Sequence, residues 1–263
     1  MSSPNRRSSR FLPPLLPRMQ VQLPGFDVMT GLVVLVILIQ VFLARAGGPM
    51  ESPWYYINFG LSWDGFSHGK IWQLATYGLL HSDWFHLLIN ILMLWLVGGR
   101  VIHILGYRRC FQIIVFGTLF GGVLHLLTGL LMLRTGYQES QLVGISGACL
   151  ALLLTLTTLS PDSRMWPVPI SGKHMGLGLI VADLLLWLMQ PGLGLPVFSR
   201  MGEQMIVWGG PGAAGMFQIS HACHLGGALA GWWLAHRLLA PPPSLEKLRQ
   251  IREEREKDME PTD

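Results

Sequence analysis

GISGACLALLL, residues 144–154, sets Ser146 between Gly144 and Gly147 at the mouth of an apolar run. Two readings of that serine are open. A small hydroxyl flanked by glycines suits a helix-packing patch. The same hydroxyl beside a base suits a nucleophile. The solvent around it comes first. Of 263 residues, 51% are hydrophobic and 13% charged, with a mean hydropathy of +0.43. A soluble domain carries roughly 25% charged residues. Half that charge leaves a surface suited to lipid. The formal charge of +4 is concentrated at particular loops and does not read as a nucleic-acid footprint, so no nucleic-acid partner is expected. Cys110, Cys149 and Cys223 have no CxxC spacing and lie in or beside apolar runs, which points to neither a disulfide framework nor a thiolate zinc site.

A bilayer span needs about 20 mostly apolar residues. Six runs qualify: 28–46, 83–105, 110–133, 141–159, 175–190 and 219–239. With the N-terminus in the cytoplasm, fifteen of the 19 Lys and Arg fall on the cytoplasmic side. Only Arg45, Lys70, Arg134 and Arg200 fall on the other. An odd number of spans would put the basic tail outside, so the asymmetry supports both six spans and two cytoplasmic termini. Residues 1–27 read as a basic, disordered arm. Together with the next run they resemble a signal peptide ending at Ala44-Arg45-Ala46, but the preceding stretch is long for one, and an uncleaved first span is preferred. Residues 28–240 form the membrane domain. Residues 241–263 read as a charged cytoplasmic tail, helical by the spacing of Leu245, Leu248 and Ile251. The aromatic-rich loop 47–80 suits the headgroup zone. The glycine-rich stretch 191–218 reads as a flexible entrance flap.

Polar groups inside spans cost a few kcal/mol each and call for a role. The second span opens with His81, His86 and Asn90, the last two sharing a helix face. The fourth opens with Gly144, Ser146 and Gly147; the sixth carries His221, His224, Gly227 and Gly231 on one face. All three spans enter from the non-cytoplasmic side. Ser146, five residues past Gln141, is expected about 8 Å down, level with His86 and His224. Gly227 and Gly231 form a small-xxx-small face on which the fourth span can seat, bringing Ser146 to His224. His224 would then be base and acid. His86, the Asn90 amide and the Ser146 N–H would receive an oxyanion.

These residues resemble the rhomboid intramembrane serine proteases. The resemblance covers residues 28–240 and rests on three motifs: His81-x4-His86-x3-Asn90, Gly144-x-Ser146-Gly147 and His224-x2-Gly227-x3-Gly231. It implies an all-α, six-helix polytopic bundle with a Ser146–His224 dyad. It also implies an oxyanion hole of His86, Asn90 and the Ser146 N–H, transmembrane protein substrates, a gating fifth helix, and no metal or cofactor. Compactness and tails fit a bacterial inner membrane. Substrate identity and oligomeric state stay open. Three departures stand out. Leu150 replaces an aromatic that stacks on the catalytic histidine in many members, Gln73 follows Trp72 in place of arginine, and Cys223 replaces alanine before His224. His81, His221, His125 and Asp183 are read as structural hydrogen-bonding groups, and Cys149 and Cys223 as packing residues. Two rivals are carried: a histidine-lined metal or transport site built from His81, His86, His221 and His224, and an inactive rhomboid-like binding protein.

Overall fold

The computed structural model describes residues 28–51, 53–137, 141–165 and 169–239. The arm 1–27 and the tail 241–263 lie outside the described residues. Each of the six apolar runs contains a helix. They are α1 (Val28–Arg45), α2 (Trp84–Leu105), α3 (Tyr107–Met132), α4 (Ser146–Leu159), α5 (Gly172–Leu188) and, after an intervening helix α6 (Phe198–Met216), α7 (His221–Leu239). Two of these, α2 and α3, are by themselves long and apolar enough to cross a membrane. Between α4 and α5, β1 (Arg164–Met165) and β2 (Ile170–Ser171) pair antiparallel, a small exception to an all-helical chain.

The hydrophobic core sits around α4. Ala148, Cys149, Ala151 and Leu152 pack against Leu94 and Val101 of α2 and Ile113 of α3. The outward faces carry exposed Leu38, Phe42, Phe85, Leu96, Phe111 and Leu184. Such breadth of exposed apolar surface is unusual for a soluble chain and suits acyl chains.

Small residues let the inner helices meet backbone to backbone. A Cβ on Gly227 would collide with the Gly147 carbonyl, and one on Gly231 with the Ala151 carbonyl. The Thr155 hydroxyl donates to the Gly231 carbonyl at 3.1 Å across the same seam. On the next face of α7, Gly226 meets the backbone of Phe120 and Gly121 on α3.

Two expectations need correction. The fourth helix does not start at Gln141. Residues 141–145 are not helical: Leu142 is bridged to Leu61 of the first loop by two backbone hydrogen bonds, and the chain turns at Gly144 and Ile145. Ser146 is therefore the first residue of α4, not a residue one turn down. With 14 residues α4 is only about 21 Å long, shorter than the roughly 30 Å hydrocarbon core of a bilayer. The stretch 191–218 is not a loop either. Most of it is α6, kinked at Gly210 (φ 59°) just before Pro211. Gly202 serves packing: a Cβ there would collide with the Met189 carbonyl at the end of α5.

The first loop is tied down without the arginine. Gln73, fully buried, donates to the Ile57 carbonyl at 3.0 Å, and Trp72 donates to Asn58 O at 2.8 Å. Tyr77 reaches α3, donating to Thr118 O at 2.6 Å.

Candidate active site

Three helix N-termini bring the polar residues together: α2 carries His86 and Asn90, α4 begins with Ser146, and α7 carries His221 and His224. The glycine seam between α4 and α7 sets the spacing. Across it the Ser146 hydroxyl donates to His224 Nε2 at 3.0 Å. Both side chains are half-buried, so the pair is neither sealed nor fully solvated. On the other edge of the ring, His224 Nδ1–H donates to Asp183 Oδ1 of α5 at 3.2 Å. His221 Nδ1–H donates to the same oxygen at 2.7 Å, and His221 Nε2–H donates to the Met216 carbonyl at 3.0 Å.

The opposite wall comes from α2. Asp83 caps the helix by accepting from the His86 N–H at 2.9 Å. Ser82, bonded to Asp83 at 2.7 Å, lies 3.2 Å from His86 Nδ1 and orients the ring. The ring then rests on Gly144: a Cβ there would fall 2.6 Å from His86 Nε2 and 3.5 Å from Asn90 Nδ2. Gly144 also has φ +107°, which L side chains rarely adopt. Only glycine fits on both counts. Asn90 is buried, and its Nδ2 has no hydrogen-bond partner among the described residues. Its oxygens are engaged, because the Cys149 thiol donates to the backbone O at 3.6 Å and to Oδ1 at 3.8 Å. A buried amide donor held by its acceptor end is costly unless something fills its other side. The N-terminal turn of α4 adds backbone N–H groups that the helix itself leaves unpaired.

His81 is fully buried, edge-on to His86 with ring centroids 5.2 Å apart. Burial, reinforced by the neighbouring His86, pushes its pKa down to about 4, so the ring is neutral at pH 7. It backs the His86 ring. His125 of α3 lies 2.9 Å from the Ser220 hydroxyl and ties α3 to the start of α7. The four histidines of the metal rival fall into two pairs, His81–His86 and His221–His224, and the compact donor set is instead Asp183, His221 and His224.

Spacing in the sequence picks out Ser146, His224, His86 and Asn90 for one cavity, and the fold brings them together. It gave Asp183 and Cys149 only structural parts. The one advance signal for Asp183 was a carboxylate within an apolar span.

The model of the rhomboid domain matches residues 68–241. The chain belongs to the rhomboid family. It is therefore an integral membrane protein. Among its relatives, the rhomboid protease GlpG of Photorhabdus laumondii is 26% identical over 138 residues, 51% of this chain and 43% of the relative. RHOMBOID-like protein 12, mitochondrial, of Arabidopsis thaliana is 26% identical over 141 residues, 49% and 42% respectively. The matched part of the chain thus spans less than half the length of either.

Proposed function

We propose that the chain is an intramembrane serine endopeptidase that cleaves transmembrane segments. The observation that carries this reading is the Ser146 hydroxyl on His224 Nε2 at 3.0 Å. His224 takes the hydroxyl proton as Oγ attacks the scissile carbonyl carbon. The oxyanion meets Asn90 Nδ2, the Ser146 N–H and His86. As it collapses, the C–N bond breaks, His224 returns its proton to the leaving amine, and an acyl-Ser146 ester remains. Water, deprotonated by His224, attacks the ester; as that intermediate collapses the C–Oγ bond breaks, His224 returns the proton to Ser146 Oγ, and the new carboxyl terminus is released. No step needs a metal or cofactor.

Six spans with both termini in the cytoplasm are part of the proposal. So are a membrane domain over 28–240, an arm over 1–27, a charged tail over 241–263, and a bacterial inner membrane. The basic-residue asymmetry supports that arrangement. It opens the cavity to the non-cytoplasmic side and lets α5 and α6 flank the entry of a substrate helix. Tags at both termini should report cytoplasmic exposure; a split result contradicts the topology. For activity, reconstituted protein is given a model transmembrane substrate. The parent is expected to cut it, while Ser146→Ala and His224→Ala are inert. Cleavage by either variant at the parent rate overturns the dyad.

A further inference from the structure

We infer that Asp183 is a positioning residue for His224: it fixes the tautomer in which Nε2 can act as a base, and it is itself held by His221. The inference rests on the dyad reading above. Leu150 offers no ring for His224 to stack on, so the orientation of that imidazole must come from polar contacts. Among the described residues those contacts are Ser146 on Nε2 at 3.0 Å and Asp183 on Nδ1 at 3.2 Å.

A carboxylate only accepts hydrogen bonds. Facing one, Nδ1 must carry the proton. Nε2 is then left with a lone pair, aimed at the Ser146 hydroxyl. Without the carboxylate either tautomer is open, and the other one donates toward Ser146 and cannot take its proton. Once His224 has the serine proton, its cation faces a negative oxygen.

Asp183 needs its own support, because it is buried in the apolar stretch of α5 that follows Met175. His221 supplies it. That ring lies between two groups that only accept, the Asp183 carboxylate at 2.7 Å and the Met216 carbonyl at 3.0 Å. An imidazole that satisfies both donates from both nitrogens, which is the cationic form. The Asp183–His221 pair is then neutral overall, and the carboxylate stays ionised inside the bundle. Its pull on His224 is correspondingly weaker than that of an unpaired aspartate. The contacts form a chain from the end of α6 through His221, Asp183 and His224 to Ser146.

A metal bound by Asp183, His221 and His224 fits this geometry less well. Two ligands on a tetrahedral zinc at about 2.1 Å lie about 3.4 Å apart. The 2.7 Å separation of Asp183 Oδ1 and His221 Nδ1 is instead that of a short hydrogen bond.

The other titratable groups facing the cluster are His86 on α2 and Cys223 on α7 itself. Neither is altered in the test. The parent, Asp183→Asn, Asp183→Glu and His221→Gln are reconstituted as full chains. Substrate cleavage is measured, together with the pH dependence of fluorophosphonate labelling at Ser146. Replacing a triad aspartate by asparagine typically lowers kcat about 10⁴-fold; with the charge shared by His221, about 10²-fold is expected for Asp183→Asn. KM should stay within about twofold, since no contact is made only with the ground state. The acid limb of labelling should move to lower pH, and Asp183→Glu should recover about tenfold of the loss.

A folded Asp183→Asn protein with the parent kcat and the parent midpoint overturns the inference. So does a loss equal at every pH with no shift of midpoint, which is the mark of a merely structural role. A second readout needs no change at Asp183. In ¹⁵N-histidine spectra of the unaltered protein, assigned by comparison with His224→Asn, His224 should carry its proton on Nδ1; a proton on Nε2 contradicts the inference. If the parent neither labels nor cleaves, the protease reading falls and takes this one with it. A working parent beside an indifferent Asp183→Asn sinks this one alone.

Discussion

Two seams hold α7, by different physics. Toward α4 the contact is steric: Gly227 and Gly231 lie against the carbonyls of Gly147 and Ala151, with no room for a Cβ. Toward α5 it is electrostatic: one carboxylate oxygen serves two imidazoles. The first seam sets how far His224 lies from Ser146. The second sets which nitrogen carries the proton. A close-packed backbone contact tolerates no added volume, whereas a polar latch tolerates volume but not a change of charge. The seams should therefore fail in different ways.

The largest effect belongs to the steric seam. Gly227→Val places two methyl groups into the α4 backbone, and overpacking of this kind costs about 3 kcal/mol or more. Thermal melting in detergent should show loss of the folded bundle, and labelling of Ser146 should vanish with it. A stable, active Gly227→Val protein would mean that the close approach is not needed.

Next comes the wall that neither seam holds. Asn90→Ala removes one oxyanion donor and should lower kcat about 10²–10³-fold. Its labelling midpoint should stay at the parent value, because the amide does not touch His224. A shifted midpoint would show that the α2 wall and the α5 seam are one device.

His221→Gln sharpens the comparison further. Removing the cation leaves Asp183 with a stronger pull on His224. The labelling midpoint should rise, opposite in sign to Asp183→Asn, with about a tenfold loss of rate from a looser carboxylate. Midpoints that move together would break the relay as drawn.

The smallest effect is a deliberate probe of the first seam. Thr155→Val deletes the hydrogen bond to the Gly231 carbonyl and should cost about 1 kcal/mol in melting, with cleavage unchanged.

Hydropathy carried much of the helical layout. The expected edges of the first and third spans lie within a few residues of α1 and α3, since apolar length is a property of one segment alone. The fourth failed at its start because Gln141–Ile145 is apolar enough to count as span, while its backbone pairs with Leu61 in the first loop. That pairing joins residues 81 positions apart and leaves no local trace. The stretch 191–218 failed for a related reason. Glycine reads as a breaker, but Gly202 is there to bring α6 against the end of α5. At the site, serine, histidine and glycine were legible because short spacings place them on helix faces. The tie between Asp183 and His224 crosses 41 positions and depends on how α5 rotates against α7. An aspartate in an apolar run announces that it needs a partner, but does not name it.

The central claim is that Ser146 is made nucleophilic by His224 within the bundle. Fluorophosphonate labelling with site mapping tests it most directly. A single adduct on Ser146 of the parent, absent from His224→Ala, is the expected result. An adduct mapped to another residue, or labelling of Ser146 at an undiminished rate in His224→Ala, would contradict it.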